Sequence, residues 1–257
     1  MSTLTVEREH AVARIWLDRP ERRNAFNAEL IAALTQTFGS LAADDALRAV
    51  VLAGRGKAFC AGGDLDWMRA SGQLPYDRNL ADAELAAAMF AAVDSCPVPV
   101  IARVHGAAVG GGTGLACCCD VVLARADALF GFTEVRLGLV PATIGPFALA
   151  RIGRSQARAL FATGETFGAE RARAIGLVHE VHADDAALDA AVDRALAAVL
   201  RGGPQAQRAA KALLAELRDG DPAPQSKRAA EAIAARRASA EGREGIAAFL
   251  ERREPRW

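Results

Sequence analysis

Residues 105–120 read HGAAVGGGTGLACCCD, and the segments that frame them decide the fold. Upstream stands VIARV, residues 100–104, released from the breaker Cys96-Pro97-Val98-Pro99; downstream stands VVLA, residues 121–124. Short apolar runs of this kind predict buried strands, and Gly110, Gly111 and Gly112 predict the opening of a helix between them. Strand, helix and strand in succession is the unit of an α/β core. The same alternation extends outward. Residues 10–18 (HAVARIWLD) alternate small or apolar with polar side chains and predict a strand that ends at Arg19-Pro20. Residues 28–41 place Leu30, Leu34, Phe38 and Leu41 on one helical face. AVVLA at 49–53, closed by Gly54, predicts a buried strand, and a helix is predicted from about residue 80 to 93. A last short apolar segment lies around 178–181. Beyond about Asp184 the pattern is helical only, over 187–200, 204–217, 222–240 and 245–253. We therefore divide the chain into an α/β core, residues 1–195, and a helical C-terminal region, residues 196–257.

The chain has 257 residues, 52% hydrophobic and 24% charged, which is the composition of a folded globular protein rather than a disordered one. Its formal net charge is +0 with no block of like charges, so nothing favours a nucleic-acid or acidic-membrane partner. The N-terminal MSTLTVEREH has no apolar stretch of signal-peptide length, and no run reaches the ~18 apolar residues of a membrane span. Cys60, Cys96 and the run Cys117-Cys118-Cys119 match no metal-ligand spacing. Reduced thiols and a cytoplasmic location are the expectation.

Three segments carry candidate chemistry. KAFCAGGDLDWM, residues 57–68, leads from a strand end through Ala61, Gly62 and Gly63 into a helix at Asp64. In HGAAVGGGTGLACCCD the glycines again precede a helix. Bare backbone at a helix start offers N–H groups with no intrahelical partner, and two such donors converging from different segments make an oxyanion hole. FGFTEVRLGLVP, residues 130–141, places Glu134 among apolar neighbours, where desolvation raises a carboxylate toward acid/base range. Taken singly, each has an ordinary alternative: a tight turn, close helix packing, a paired carboxylate. The glycines do not match the G-x-G-x-x-G spacing of a dinucleotide fold, no phosphate-loop Lys-Ser/Thr follows, and no G-x-S-x-G marks a serine hydrolase.

In this order, from Asn24-Ala25-Phe26 to Phe249, the segments resemble the crotonase (enoyl-CoA hydratase/isomerase) superfamily. The resemblance implies a spiral of ββα units with a helical C-terminal trimerisation region, assembled as a homotrimer or a hexamer of two trimers. It implies an acyl-CoA thioester as substrate and no cofactor or metal. By the same resemblance the oxyanion donors map onto Ala61 and Gly111, the CoA-binding stretch onto Ala61, Gly62, Gly63 and Asp64, and the catalytic glutamate onto Glu134. A neighbouring subunit's last helix is expected to help hold CoA through Phe249 and Arg252. The extended run FTEVRLGLVPATIGPF with FCAGGDLDWM looks like bacterial methylglutaconyl-CoA hydratases.

One position departs from the family pattern. Gly114 stands where two-glutamate hydratases carry their first glutamate, which leaves Glu134 to serve both proton transfers. Thr113 or backbone groups are then candidates to place the water, and Gly114 is expected to tolerate replacement. The expected activity is hydration of a 2-enoyl-CoA, with a Δ3,Δ2-enoyl-CoA isomerase as the alternative; a non-catalytic or RNA-binding member of the same fold is disfavoured by the neutral charge. For a distal carboxylate, Arg69, Arg78 and Arg136 are the nearest cations in sequence. Leu196, Val199, Leu213, Leu214 and Leu217 are expected to drive subunit association.

Overall fold

A computed structural model describes residues 3–217 and 222–257. β1 (Leu4–Glu9) and β2 (Val12–Leu17) form an antiparallel hairpin, followed by α1 (Ala28–Ala42), β3 (Ala49–Gly54), α2 (Leu65–Ser71) and α3 (Tyr76–Asp94). β4 (Val100–Val104), β5 (Ala107–Val109), α4 (Gly111–Cys117), β6 (Val121–Arg125) and β7 (Leu129–Gly131) come next. Then follow α5 (Gly145–Thr163), β8 (Thr166–Gly168), α6 (Ala169–Ala174) and β9 (Glu180–His182). The chain finishes with α7 (Asp185–Arg201), α8 (Pro204–Glu216), α9 (Pro222–Ala238) and α10 (Ala240–Leu250). Six strands form one sheet in the order β1-β2-β3-β4-β6-β9, parallel from β2 onward, and β5-β7-β8 form a second, smaller sheet. Parallel neighbours of the large sheet are joined through helices, because they cannot be joined by a tight hairpin, and from β4 onward the chain also visits the small sheet, at β5, β7 and β8.

β3 explains the layering. All six residues of AVVLAG are buried, as expected of a central parallel strand covered on both faces. Successive side chains alternate between those faces. Val50 and Leu52 join Leu30, Leu34 and Phe38 of α1 and Met89, Phe90 and Val93 of α3 in the larger core. Ala49 and Val51 face the other way, onto Leu188, Ala191, Val192 and Leu196 of α7. α7 thus runs unbroken across residue 195 and covers the sheet, so Leu196 and Val199 pack inside their own chain. Leu214 of α8 is 70% exposed. The last helices are tied back by polar contacts. Arg208 donates to the Asp44 and Leu47 carbonyls at 2.9 and 3.2 Å, and Lys211 pairs with Asp120 at 2.6 Å. Glu241 accepts the N–H groups of Gln205 and Ala206, capping α8.

Several elements escaped the sequence pattern. β1 buries only Leu4, so it has no clean alternation. β5, β7 and β8 have three residues each, too few for any period to register. α5 is interrupted at Gly153 (φ 72°, ψ 162°), which splits its periodicity. α3 begins at Tyr76 rather than near residue 80, because its buried residues lie only toward its end.

The loops that follow β2 and β3 meet at Asn24, which is fully buried in a left-handed conformation (φ 57°). Its Nδ2 donates to the carbonyls of Arg55 (2.9 Å) and Ala58 (2.8 Å), and its Oδ1 accepts the Arg19 N–H at 2.9 Å. Asn24→Ala would leave these backbone groups unsatisfied. It should cost at least ~2 kcal/mol, seen as a fall of about 4–8 °C in melting temperature for a chain of this size; a variant melting with the wild type would remove Asn24 from this role.

Candidate active site

Asn24 delivers the next two residues to the glycine loop. Phe26 N–H donates to the Gly62 carbonyl at 2.7 Å, and Asp64 N–H donates to the Phe26 carbonyl at 2.8 Å. These bonds bracket Gly63. Backbone polar groups alternate in direction along an extended segment, so the Gly63 N–H faces away from Phe26, and no backbone acceptor meets it among the described residues. Ala61 is different. Its N–H donates to the Arg23 carbonyl at 3.0 Å and is committed inside the chain, so the donor assigned to Ala61 from sequence passes to Gly63. Gly111 opens α4, and its N–H has no backbone partner among the described residues.

The two loops touch through missing side chains. A Cβ on Gly62 (φ 85°) would stand 2.7 Å from the Val109 carbonyl oxygen, and one on Gly112 would stand 2.0 Å from that of Cys60. Only glycine lets these backbones meet, and their meeting brings Gly63 and Gly111 to one cleft. A Cβ on Gly111 would point at Phe26 Cε2, 2.9 Å away, so a substitution there acts by displacing Phe26 and not by filling the cleft. Asp64 serves as a latch. Its Oδ2 accepts from Arg19 at 3.0 Å and its Oδ1 accepts the Asp66 N–H that starts α2. Burial alone would raise its carboxyl, but the Arg19 bond and the backbone donors hold it below the usual range. Burial pushes the neighbouring Cys60 thiol up to about 12, so it stays protonated at neutral pH.

The cleft has a volume of about 650 Å³, and Ala61, Gly62, Gly63, Asp64, Gly111 and Glu134 all line it. Glu134 begins a short 3₁₀ turn, Glu134–Leu137, after β7. Its Oε2 is shut away from water without a hydrogen-bond partner among the described residues. Burial raises the carboxyl, offset in part by its own backbone N–H. An unpaired buried carboxylate is costly, which is characteristic of a group kept for proton transfer. A Cβ on Gly110 would lie 3.2 Å from Glu134 Oε1, so the carboxyl rests directly over bare backbone.

Two further expectations change. Thr113 is fully buried, its hydroxyl 2.5 Å from the Ala108 carbonyl oxygen and accepting the Gly131 N–H at 3.1 Å, so it braces α4 against both small strands and cannot hold a water. Gly114 is not tolerant. A Cβ there would stand 2.2 Å from Cγ2 of Ile144, whose side chain covers it. Among the residues that sequence reading missed, Thr133 lines the cleft beside Glu134, and its hydroxyl has no partner among the described residues; its only sequence signal is its place next to Glu134. Arg22 and Arg23 also line it and stand exposed, Arg22 pairing with Asp66 of α2 at 3.3 Å. Trp67 and Met68 of α2 with Asn79, Asp82, Ala83, Ala86 and Phe90 of α3 complete the lining, and Ser71 donates to Asp82 at 2.7 Å. Arg69, Arg78 and Arg136 are not in the lining, nor are Phe249 and Arg252, which belong to the far C-terminal region.

Comparison with known proteins gives a consistent answer. The family model described as enoyl-CoA hydratase/isomerase matches residues 7–257. A 2,3-dehydroadipyl-CoA hydratase of Escherichia coli strain K12 is 34% identical over 256 residues, covering 99% of this chain and 98% of the relative. Among solved structures, an enoyl-CoA hydratase from Shewanella pealeana superposes with a TM-score of 0.94 at 36% identity, over 99% of this chain and 96% of the other. One from Mycobacterium smegmatis gives a TM-score of 0.94 at 35% identity, over 99% and 98%.

The raised Glu134 carboxyl has a stability consequence. Between its ordinary and its raised pKa the folded state holds a proton that the unfolded state has lost, so its contribution is present at low pH and disappears as pH climbs through the raised value. Glu134→Gln removes that loss. The variant should therefore gain melting temperature relative to wild type on going from about pH 4 to about pH 8; a difference independent of pH would mean that Glu134 is not desolvated.

Proposed function

The chain belongs to the enoyl-CoA hydratase/isomerase family, and from that premise we propose that it adds water across the double bond of a 2-enoyl-CoA with Glu134 as the only carboxyl acid/base. The observation that carries this reading is the buried, unpartnered Glu134 Oε2 in the same cleft as the open N–H groups of Gly63 and Gly111. The thioester oxygen sits between those two donors. Glu134 takes a proton from water while the hydroxide oxygen bonds to C3, and the electron pair of the C2–C3 double bond moves through C2 onto the thioester oxygen. The donors hold that enolate, each at roughly 2.7–4 kcal/mol for a well-placed group. Glu134 then returns the proton to C2 and the carbonyl re-forms. Thr133 is placed to orient the water.

The exposed Arg22 and Arg23 of the lining are the candidates to meet the CoA phosphates, and Trp67, Met68 and Phe90 to meet the acyl chain. Asn79 is an uncharged hydrogen-bonding group of the same lining, so the finer reading is a branched glutaconyl-type acyl chain whose distal group bonds to Asn79. The E. coli relative, named for a dicarboxylic enoyl-CoA, supports testing it. The isomerase reading draws on one observation, the covered Gly114, since moving a double bond needs only one carboxyl. For assembly the proposal is a trimer or a dimer of trimers, with Phe249, 83% exposed, and Leu250, 75% exposed, as candidate contacts and Phe249 and Arg252 reaching the neighbour's CoA.

Glu134→Gln should lower hydration by at least ~10²-fold with little change in affinity for a saturated acyl-CoA; wild-type turnover would make Glu134 structural. A panel of 2-enoyl- and 3-enoyl-CoA thioesters, with and without a distal carboxylate, separates the readings: a 3-hydroxyacyl product from 2-enoyl-CoA supports hydration, and interconversion of the two enoyl isomers alone supports isomerisation. Light scattering should give a mass of three or six chains; a monomer at micromolar concentration would overturn the assembly.

A further inference from the structure

Gly114 and Ile144 occupy one space. An ideal Cβ on Gly114 would stand 2.2 Å from Cγ2 and 2.6 Å from Cβ of Ile144. The conflict reaches the Cβ itself, so it is not relieved by rotating a flexible end. Ile144 is also held. It is buried, β-branched and therefore stiff about χ1, and its carbonyl accepts the Ala148 N–H at 3.0 Å in the first turn of α5. It lines the same cleft as Glu134, ten residues along one connection from it.

The other acids of the cleft lining are already engaged. Asp64 is bound to Arg19 and to the start of α2, and Asp82 accepts the Ser71 hydroxyl between α2 and α3. Of the acids in the lining that leaves Glu134, which shares the cleft with Ile144, the side chain that covers Gly114. We propose that Ile144 is a positioning residue of the reaction: it fills the space over Gly114, excludes any polar group or water from that wall, and so leaves Glu134 as the single proton carrier in a dry setting. This rests on the reading of Glu134 as the acid/base group. Substitution at residue 114 is then coupled to residue 144, and a smaller residue at 144 admits water to the wall that Glu134 shares.

The test uses Gly114→Ala, Ile144→Ala and the double variant in the full-length protein. Thermal melts should show that Gly114→Ala is strongly destabilising and that adding Ile144→Ala recovers at least half of the loss, although Ile144→Ala alone also destabilises. Additive losses would overturn the shared space. If Gly114→Ala does not fold, folding of the double variant still supports the pairing, and its failure to fold counts against it. A purely structural Ile144 would leave Glu134 untouched, so the ionisation of Glu134 is read separately by carbon NMR of protein labelled at glutamate carboxyls, the signal being identified by its loss in Glu134→Gln. In Ile144→Ala it should move toward the ordinary carboxylate range, and the acid limb of kcat/KM on crotonyl-CoA should move to lower pH with it. An unmoved Glu134 signal would overturn the proposal. Because the titration needs no turnover, a wild-type protein that hydrates no enoyl-CoA would sink the proposed activity and leave the role of Ile144 decided by NMR.

Discussion

One buried side-chain amide joins the loops that build the site. Asn24 spans from the Arg19 N–H to the carbonyls of Arg55 and Ala58, and so closes the exit of β2 onto the exit of β3. Unsatisfied backbone groups inside a protein are costly, so this joint sets the separation of the two loops tightly. Everything downstream inherits its geometry. Phe26 follows within two residues and pairs with the Gly62–Asp64 backbone, Arg19 and Asp64 lock the same junction with an ion pair, and the Gly63 N–H is left without a backbone acceptor among the described residues.

The rest of the site follows from contact between backbones. Gly62 and Gly112 allow two loops from successive turns of the spiral to lie against each other with no side chain between them. That contact brings a donor from each loop to one place. Glu134 lines the same cleft; its buried oxygen has no partner among the described residues, and its carboxyl is raised by burial. A carboxyl in that state opposes folding at neutral pH and is well suited to moving protons there, which is the usual trade between stability and activity at a reaction centre.

Much of this was legible in the residues. The alternation of buried runs and amphipathic helices in residues 10–124 specified the parallel core, because hydrophobic period reports local geometry directly. Gly111 and Glu134 were legible because their surroundings, a glycine-opened helix and an apolar run, are written in adjacent positions. The small sheet was not, since three-residue strands carry no period, and its pairing is set by contacts distant in sequence.

By itself the sequence determined the fold class, the cleft's two glycine loops and Glu134 as the candidate carboxyl of the cleft, because each depends on neighbours within a dozen positions. Tertiary structure alone decided which N–H groups are free. Ala61 is taken by the Arg23 carbonyl and Gly63 is spared, a choice made by pairing across the space between two loops. It likewise decided that Gly114 lies under Ile144 and that Thr113 is a brace, since steric exclusion and hydrogen-bond partnership over such separations are properties of packing and leave no mark on local pattern.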